Sequence, residues 1–144
     1  MESCQIRFAE RKDVPVILGF IRKLAEYEKL ENEVVATEKL LETWLFDKKK
    51  AEVLLAFEGE KPVGYALFFH NFSTFLGRAG IYLEDLFVLP EMRGKGYGKA
   101  LLSRVARLTV ERECGRLEWS CLDWNKPSLD FYHALGAKRM TGWT

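Results

Sequence analysis

The alternation of apolar and polar side chains predicts a short strand and an amphipathic helix at the start of the chain. The strand covers Cys4–Phe8, where successive side chains alternate between two faces. Apolar residues then recur at steps of three and four over 17–25, which predicts a helix that ends near Tyr27. Asp13 is placed to cap this helix, and Pro15 falls in the first turn, where proline is tolerated.

A second helix and a three-stranded antiparallel unit follow. Thr37 has the side chain and the position of an N-cap. The helix that it begins carries an apolar stripe of Leu40, Leu41, Trp44 and Leu45. Strand-like runs at 51–58 and 63–71 flank a turn signal that contains glycine and proline, and a third run covers 80–88.

The last third of the chain predicts a long helix, a strand and a short helix. The long helix covers 97–113, and the strand covers 117–121. Asn125 or Ser128 caps the short helix, which ends near Gly136. The inward face of the long helix is formed by Ala100, Leu101, Val105, Leu108 and Thr109.

Residues 138–140 begin a final strand, so the predicted order is βααβββαβαβ. This order indicates an α/β protein (an α+β arrangement with a mixed sheet) whose first half is largely antiparallel. The length of 144 residues and the absence of a linker-like segment predict a single domain over residues 1–144.

Composition excludes several classes of protein. A hydrophobic content of 48% with 30% charged residues is typical of a folded globular chain and argues against disorder. The net charge of +1 argues against a nucleic-acid protein built on a broad basic face. The charge is uneven, because residues 1–60 hold 10 Lys/Arg and 13 Asp/Glu. The basic half of the chain therefore contains the glycine-rich segment described below.

Cysteine and histidine provide no sign of a metal site or a disulfide framework. Cys4, Cys114 and Cys121 are scattered, and only two histidines are present. A bound metal is therefore not expected. The sequence shows no signal peptide and no apolar run long enough to span a membrane, so we expect a cytoplasmic protein without a membrane partner.

The segment after the strand at 80–88 predicts a phosphate-binding turn. Glycines at 94, 96 and 98 let the backbone approach a ligand closely, and the helix that follows directs its first N–H groups at negative charge. A P-loop fails here because Arg93 replaces its first glycine and Ala100 replaces its Ser/Thr. A dinucleotide fingerprint fails because the three glycines are spaced two and two. An ordinary glycine-rich turn before a core helix is the alternative.

The pattern that remains is Arg93, Gly96 and Gly98, and it resembles the acetyl-coenzyme A signature of the GNAT superfamily of N-acetyltransferases. Segments 24–28 and 82–85, with the Trp-Asn-Lys-Pro-Ser-Leu-Asp-Phe-Tyr run that starts at residue 124, are similar to the diamine acetyltransferase family. That family includes spermidine/spermine and thialysine Nε-acetyltransferases.

This resemblance implies the GNAT acyl-CoA N-acyltransferase fold. It extends from the first strand to Trp143. Members of the family continue beyond this point with a further strand, whereas the sequence here ends at Thr144, so we expect that last strand to be missing. A missing strand would expose sheet edges and favour pairing with a partner.

Acetyl-coenzyme A is the expected co-substrate. The glycine turn can offer backbone N–H groups to the pyrophosphate, and its basic side chains add positive charge. The turn residues concerned are Arg93, Gly94, Lys95, Gly96, Tyr97, Gly98 and Lys99. The resemblance adds contacts from Leu86, Phe87, Val88, Asn125, Lys126, Pro127 and Ser128. A strand end whose N–H groups are not paired by the next strand would leave the first three of these accessible.

Two residues are the expected catalytic groups. The resemblance assigns to Tyr132 the protonation of the departing thiolate; a buried aromatic residue with a satisfied hydroxyl is the alternative. Glu84 is the candidate for binding and deprotonating the amine, and Asp85 ranks second with a possible structural role. Strand alternation places Glu84 with Tyr82 and Leu86 on one face, and Leu83, Asp85 and Phe87 on the other.

The expected substrate is a small cationic primary amine such as a polyamine, thialysine or a lysine-like compound. Tyr27 and Glu28 match substrate contacts of the family, and an acidic rim that includes Glu31 and Glu33 would attract a cation; a solvated helix end is the alternative. Transfer is expected to be direct, because no His/Asp arrangement activates Cys121.

Two alternatives remain at this point. One is an acetyltransferase of the same fold that modifies a protein, a peptide or an antibiotic. The other is a module that binds coenzyme A without catalysis. The family resemblance also implies a homodimer.

Overall fold

One five-stranded mixed sheet organises the fold, in the order β1-β2-β3-β4-β5. The computed structural model describes residues 4–140. The first four strands pair antiparallel in sequence order, and β5 pairs with β4 in parallel. The strands are β1 (Cys4–Phe8), β2 (Glu52–Glu58), β3 (Lys61–Ser73), β4 (Arg78–Val88) and β5 (Leu117–Trp119).

The helices follow the predicted order. They are α1 (Val14–Tyr27), α2 (Glu38–Leu41, extended by a π-helical segment over Glu42–Asp47), α3 (Tyr97–Glu111) and α4 (Lys126–Ala134). The mixed α/β class is therefore confirmed. Among the residues that the structure describes, no helix is long and apolar enough to cross a bilayer.

The prediction of a final strand at 138–140 is wrong. Residues 137–140 have no regular structure, and the side chains of Lys138, Arg139 and Met140 are exposed. A strand requires a neighbour to accept and donate its backbone hydrogen bonds, and none pairs with this stretch in the described part of the chain. The predicted match at Gly142 and Trp143 lies outside the described residues.

Helix α1 forms as predicted and packs its apolar face on the sheet. Ile17 and Leu18 are buried, and so is Phe20, which the sequence analysis did not single out. Phe20 stacks on Tyr65 of β3, with ring centroids 5.6 Å apart and an interplanar angle of 7°. The N-cap position is occupied by Asp13, but its carboxylate binds Arg7 at 2.8 Å and the Glu10 N–H at 2.7 Å instead of a helix N–H.

The second helix turns only part of its predicted stripe to the core. Thr37 caps it as predicted, because its hydroxyl oxygen accepts the Leu40 N–H at 3.2 Å. Leu45 is buried, whereas Leu40 and Trp44 are about half exposed. The outer position of Trp44 is explained by Lys48, whose ammonium lies 4.4 Å from the ring centroid and covers it.

Helix α3 buries the predicted face. Leu101, Val105, Leu108 and Thr109 are all buried, while Ala100 is only half-buried. The Thr109 hydroxyl donates to the Val105 carbonyl oxygen at 2.8 Å, which satisfies the one polar group on this face. The apolar contact of this helix with the sheet fixes the direction of the glycine turn that precedes it.

Strands β4 and β5 pair over only three residues and then diverge. Within the described residues, β5 pairs with Ile81, Tyr82 and Leu83 and with no later residue of β4. The prediction that the next strand does not pair with residues 86–88 is therefore confirmed. The divergence opens the sheet and creates the space in which the candidate site lies.

A β-bulge at Glu84 changes the faces predicted for β4. Asp85 pairs with Leu67 and Leu83 pairs with Phe68, so Glu84 is an extra residue without a direct partner on β3. Because Leu67 and Phe68 point to opposite faces of the sheet, Leu83 and Asp85 do so too. The prediction that these two residues share a face is wrong, since simple alternation cannot anticipate an inserted residue.

Candidate active site

A cavity of about 660 Å³ lies where β4 and β5 diverge, between the end of α1, the glycine turn and α4. Most of the residues predicted for the site line it. They are Tyr27, Glu28, Glu84, Leu86, Phe87, Val88, Arg93, Gly94, Gly96, Tyr97, Gly98, Lys99, Asn125, Pro127, Ser128 and Tyr132. The predicted residues that do not line it are Lys95 and Lys126.

The glycine turn has the backbone geometry that a phosphate-bearing ligand needs. Gly94 and Gly96 have φ values of +79° and +90°, a region that side-chain-bearing residues rarely occupy. The Ala100 N–H is bonded to the Gly96 carbonyl oxygen, so the N–H groups of Gly98 and Lys99 precede the hydrogen-bond ladder of α3. The turn therefore presents backbone donors and a helix N-terminus to the cavity, which fits a pyrophosphate.

The two basic residues outside the lining are engaged in surface ion pairs. Lys95 lies 3.7 Å from Glu58, whose carboxylate also accepts the Tyr97 hydroxyl. Lys126 pairs with Asp130 one helical turn along α4, at 3.0 Å. Both lysine side chains are more than half exposed, so either can rotate toward a ligand. Their role in binding the cofactor stays a prediction.

Arg93 connects segments of the chain that surround the cavity. The Nε–H group donates to the Val88 carbonyl oxygen at 3.0 Å. The guanidinium carbon lies 4.8 Å from the ring centroid of Tyr27 and 5.7 Å from that of Phe87. The planar guanidinium therefore connects the end of β4, the glycine turn and the end of α1, a geometry that a lysine ammonium cannot reproduce.

Replacing Arg93 with lysine is expected to raise the Kd for acetyl-coenzyme A about tenfold, although the charge is retained. The reason is loss of the stacking on Tyr27 and of the directed bond to Val88, which hold the strand end in place. Isothermal titration calorimetry measures the change. Lys95→Ala, which removes a whole charge from the same turn, is the control. An Arg93→Lys variant with wild-type affinity, beside a weakened Lys95→Ala variant, would show that charge alone matters.

A hydrogen bond between distant segments closes the cavity on one side. The Tyr27 hydroxyl donates to Asn125 Oδ1 at 2.9 Å, and the same oxygen accepts the Ser128 N–H at 3.4 Å. Asn125 is therefore the N-cap of α4, which resolves the choice between Asn125 and Ser128. Trp124 extends the closure, with its ring 6.2 Å from that of Tyr27.

Tyr132 lines the cavity and packs on Trp119 and Phe131 at centroid distances of 5.0 and 5.4 Å. Burial raises the pKa of the Tyr132 hydroxyl, and the nearby Cys121, Glu28 and Asp85 raise it further. A raised pKa keeps the hydroxyl protonated at neutral pH, as a proton donor must be. Burial also raises the pKa of the Cys121 thiol, which leaves it a poor nucleophile.

Three carboxylates gather on the side of the cavity facing α1. Glu84 is exposed at the bulge, whereas Asp85 is half-buried and accepts the Tyr65 hydroxyl at 2.8 Å. Burial raises the pKa of Asp85 to about 6, with further increases from Glu84 and Glu28 and an opposing effect of the Tyr65 hydrogen bond. Burial also raises the pKa of Glu28. An acidic pocket of this kind favours a cationic ligand.

Tyr65 is a residue bonded to the site that the sequence analysis missed. It is fully buried in β3, pairs with Phe87 across the sheet and reaches Asp85 with its hydroxyl. The only signal in the sequence was a tyrosine in the apolar first part of a strand, and the register that brings it near Asp85 is set by the bulge. Within residues 4–140, no three His, Cys, Asp or Glu side chains come together as a metal site.

Comparison with known proteins identifies relatives along nearly the whole chain. Residues 18–137 match the profile of the acetyltransferase (GNAT) family. The chain is 41% identical to the thialysine N-epsilon-acetyltransferase of Bos taurus over 155 aligned positions, which cover 99% of this chain and 91% of that protein. It is 29% identical to an L-ornithine N5-acetyltransferase of Arabidopsis thaliana, covering 96% and 81% of the two chains.

Solved structures show the same fold. An integron cassette protein of V. cholerae superposes with a TM-score of 0.83 at 25% identity, covering all of this chain and 91% of that one. An aminoglycoside acetyltransferase from an uncultured soil sample superposes with a TM-score of 0.82 at 18% identity, covering 98% and 94%. At that identity the second likeness concerns the fold alone.

Proposed function

Because the chain belongs to the GNAT family of acetyltransferases, we propose that it moves an acetyl group from acetyl-coenzyme A directly to a primary amine of a small cationic molecule. One observation carries this proposal. The cavity brings together a glycine turn that suits a phosphate, the half-buried Tyr132 and three carboxylates, Glu28, Glu84 and Asp85. A phosphate-bearing donor fits the turn, and a cationic acceptor fits the carboxylates.

The residues present fit acetyl-coenzyme A. Backbone donors of the turn would hold the pyrophosphate, and the open edge of β4 at Leu86, Phe87 and Val88 would receive the pantetheine arm. Asn125 and Ser128, at the start of α4, also line the cavity. When bound, the co-substrate supplies the activated thioester; the protein supplies position and proton transfer.

The acceptor side suits an amine that carries positive charge. Glu28 and Glu84 both line the cavity, and both would attract an ammonium group. The names of two relatives agree with an acceptor of this kind, because thialysine and ornithine each carry a primary amine at the end of a short chain. We propose acceptors of this length and charge, with polyamines in the same class.

Two proton transfers complete the reaction. The ammonium group loses a proton to a carboxylate of the acidic pocket, a role that the sequence analysis gave to Glu84. Tyr132 then donates a proton to the departing thiolate. Direct attack by the amine needs no covalent enzyme intermediate, which agrees with the raised pKa of Cys121.

A panel of acceptors tests the proposal. Purified protein with acetyl-coenzyme A is expected to release thiol with thialysine, ornithine or spermidine, and to react at least about tenfold more slowly with an aminoglycoside or an N-terminal peptide. Acetylation of the peptide alone would favour a protein-modifying enzyme. Tight binding of acetyl-coenzyme A without thiol release from any amine would favour a non-catalytic module.

A further inference from the structure

We propose that Asp85, rather than its neighbour Glu84, accepts the proton from the acceptor ammonium group, and that Tyr65 positions Asp85 for this step. This inference rests on the proposed function and assigns a role within the same site. Asp85 ranked second to Glu84 in the sequence analysis, and Tyr65 was not singled out there.

The β-bulge gives the two neighbouring carboxylates different surroundings. Glu84 is the extra residue of the bulge and is exposed. Asp85 returns to the register opposite Leu67 and lies on the face of the sheet that carries Tyr65 and Phe87. The Tyr65 hydroxyl donates to Asp85 Oδ2 at 2.8 Å. One carboxylate oxygen is thus held by a hydrogen bond, and Asp85 lines the cavity.

The support beneath Asp85 is rigid. Tyr65 is 0% exposed and stacks on Phe20, so its hydroxyl cannot move far. Burial and the adjacent Asp85 raise the pKa of Tyr65, which keeps its hydroxyl a donor at neutral pH. A catalytic group held by a locked second residue has the fixed position that proton transfer requires.

Asp85 lies in the same electrostatic environment as Tyr132, the proposed proton donor. The groups near it are Glu28 directly after α1, Tyr65 from β3, Glu84 from β4 and Tyr132 from α4, with Cys121 near Tyr132. The negative charges of Glu28 and Asp85 both raise the pKa of Tyr132. The proposed acid and the proposed base therefore lie in the same pocket.

The proton balance follows from these positions. The N–H bond of the ammonium breaks and an O–H bond forms on Asp85, which leaves a neutral amine. The amine nitrogen forms a bond to the acyl carbon, the C–S bond breaks, and the thiolate takes the Tyr132 proton. The second nitrogen proton returns to Tyr132 as the amide forms, and Asp85 releases its proton to water. One amide, one thiol and one proton are produced per turnover.

A pH profile separates Asp85 from Glu84. With thialysine and acetyl-coenzyme A, wild-type kcat/KM is expected to rise to a break near pH 6, because only ionised Asp85 accepts a proton. Asp85→Asn must use amine that is already neutral. Its kcat/KM at pH 7 is expected to fall about 10²-fold, and its profile is expected to rise steadily toward the pKa of the amine without a break near 6.

Two matched variants complete the experiment. Glu84→Gln is expected to raise KM for thialysine and to keep the break, and Tyr65→Phe is expected to move the break to higher pH, since it removes a hydrogen bond that favours the carboxylate. Asp47→Asn, an exposed ion-pair partner of Arg11 outside the cavity, is the control. Titration with acetyl-coenzyme A verifies that each variant is folded.

The outcomes distinguish this inference from the proposed function. An active wild-type enzyme whose Asp85→Asn variant keeps the break, or whose Glu84→Gln variant loses it, overturns the assignment of Asp85 alone. A folded wild-type chain that acetylates none of the amines overturns both proposals.

Discussion

Tyr132→Phe is expected to lower kcat about 10³-fold while changing the Kd for acetyl-coenzyme A by less than about twofold. The substitution removes only the hydroxyl, so the ring contacts with Trp119 and Phe131 persist. Without this proton donor, the thiolate must depart unprotonated or await a proton from water. Steady-state thiol release measures kcat, and calorimetric titration measures Kd.

Tyr82→Phe is a suitable control for this prediction. Its hydroxyl lies 2.6 Å from the Ser120 hydroxyl, and Tyr82 does not line the cavity. Activity of this variant should remain within about twofold of wild type, as for an ordinary hydroxyl outside the site. A Tyr132→Phe enzyme with full turnover would remove Tyr132 from the mechanism and restore its alternative interpretation as a buried aromatic residue.

Phe20→Ala is expected to destabilise the fold by about 3–5 kcal/mol, the usual cost of deleting a buried phenylalanine side chain. Phe20 is only 5% exposed and contacts the rings of both Tyr65 and Phe87. Removing it leaves a cavity beside Tyr65, which bonds Asp85, and beside Phe87, which lines the active-site cavity. Urea unfolding, with the midpoint and the slope fitted together, measures the free energy of unfolding.

Phe75→Ala is the matched control, because Phe75 is fully exposed in the β3–β4 turn. Its expected effect lies within about 0.5 kcal/mol. A Phe20→Ala loss below about 1 kcal/mol would show that the core collapses into the space, and that the Phe20–Tyr65 stack does not support the site.

Local features of the site were predictable from the sequence. The strand before the glycine turn, the turn itself and, outside the site, the cap at Thr37 depend on neighbours along the chain, where periodicity and residue type carry the information. The unpaired end of β4 was predictable from the resemblance to acetyltransferases. Contacts between distant segments were harder to predict, because a pattern that indicates burial does not show which residues pack together.

The errors have specific physical causes. One inserted residue at Glu84 reversed the face of Leu83, and no local pattern marks such a bulge. A strand was predicted at 138–140 from the local residues alone, although a strand forms only beside another strand that pairs with it. The bonds from Tyr65 to Asp85 and from Tyr27 to Asn125 join residues far apart in sequence, the latter pair 98 positions apart. These contacts depend on the completed fold.

Helix α4 carries Tyr132, yet none of its residues is fully buried. Segments with so little core contact open locally at low free energy, and their amide hydrogens exchange with solvent ahead of the rest of the domain. A ligand that touches α4 only when it is formed stabilises that form by mass action. We therefore expect acetyl-coenzyme A to slow exchange across Lys126–Ala134. Acetyl-coenzyme A would then order the helix whose Tyr132 later protonates the departing thiolate.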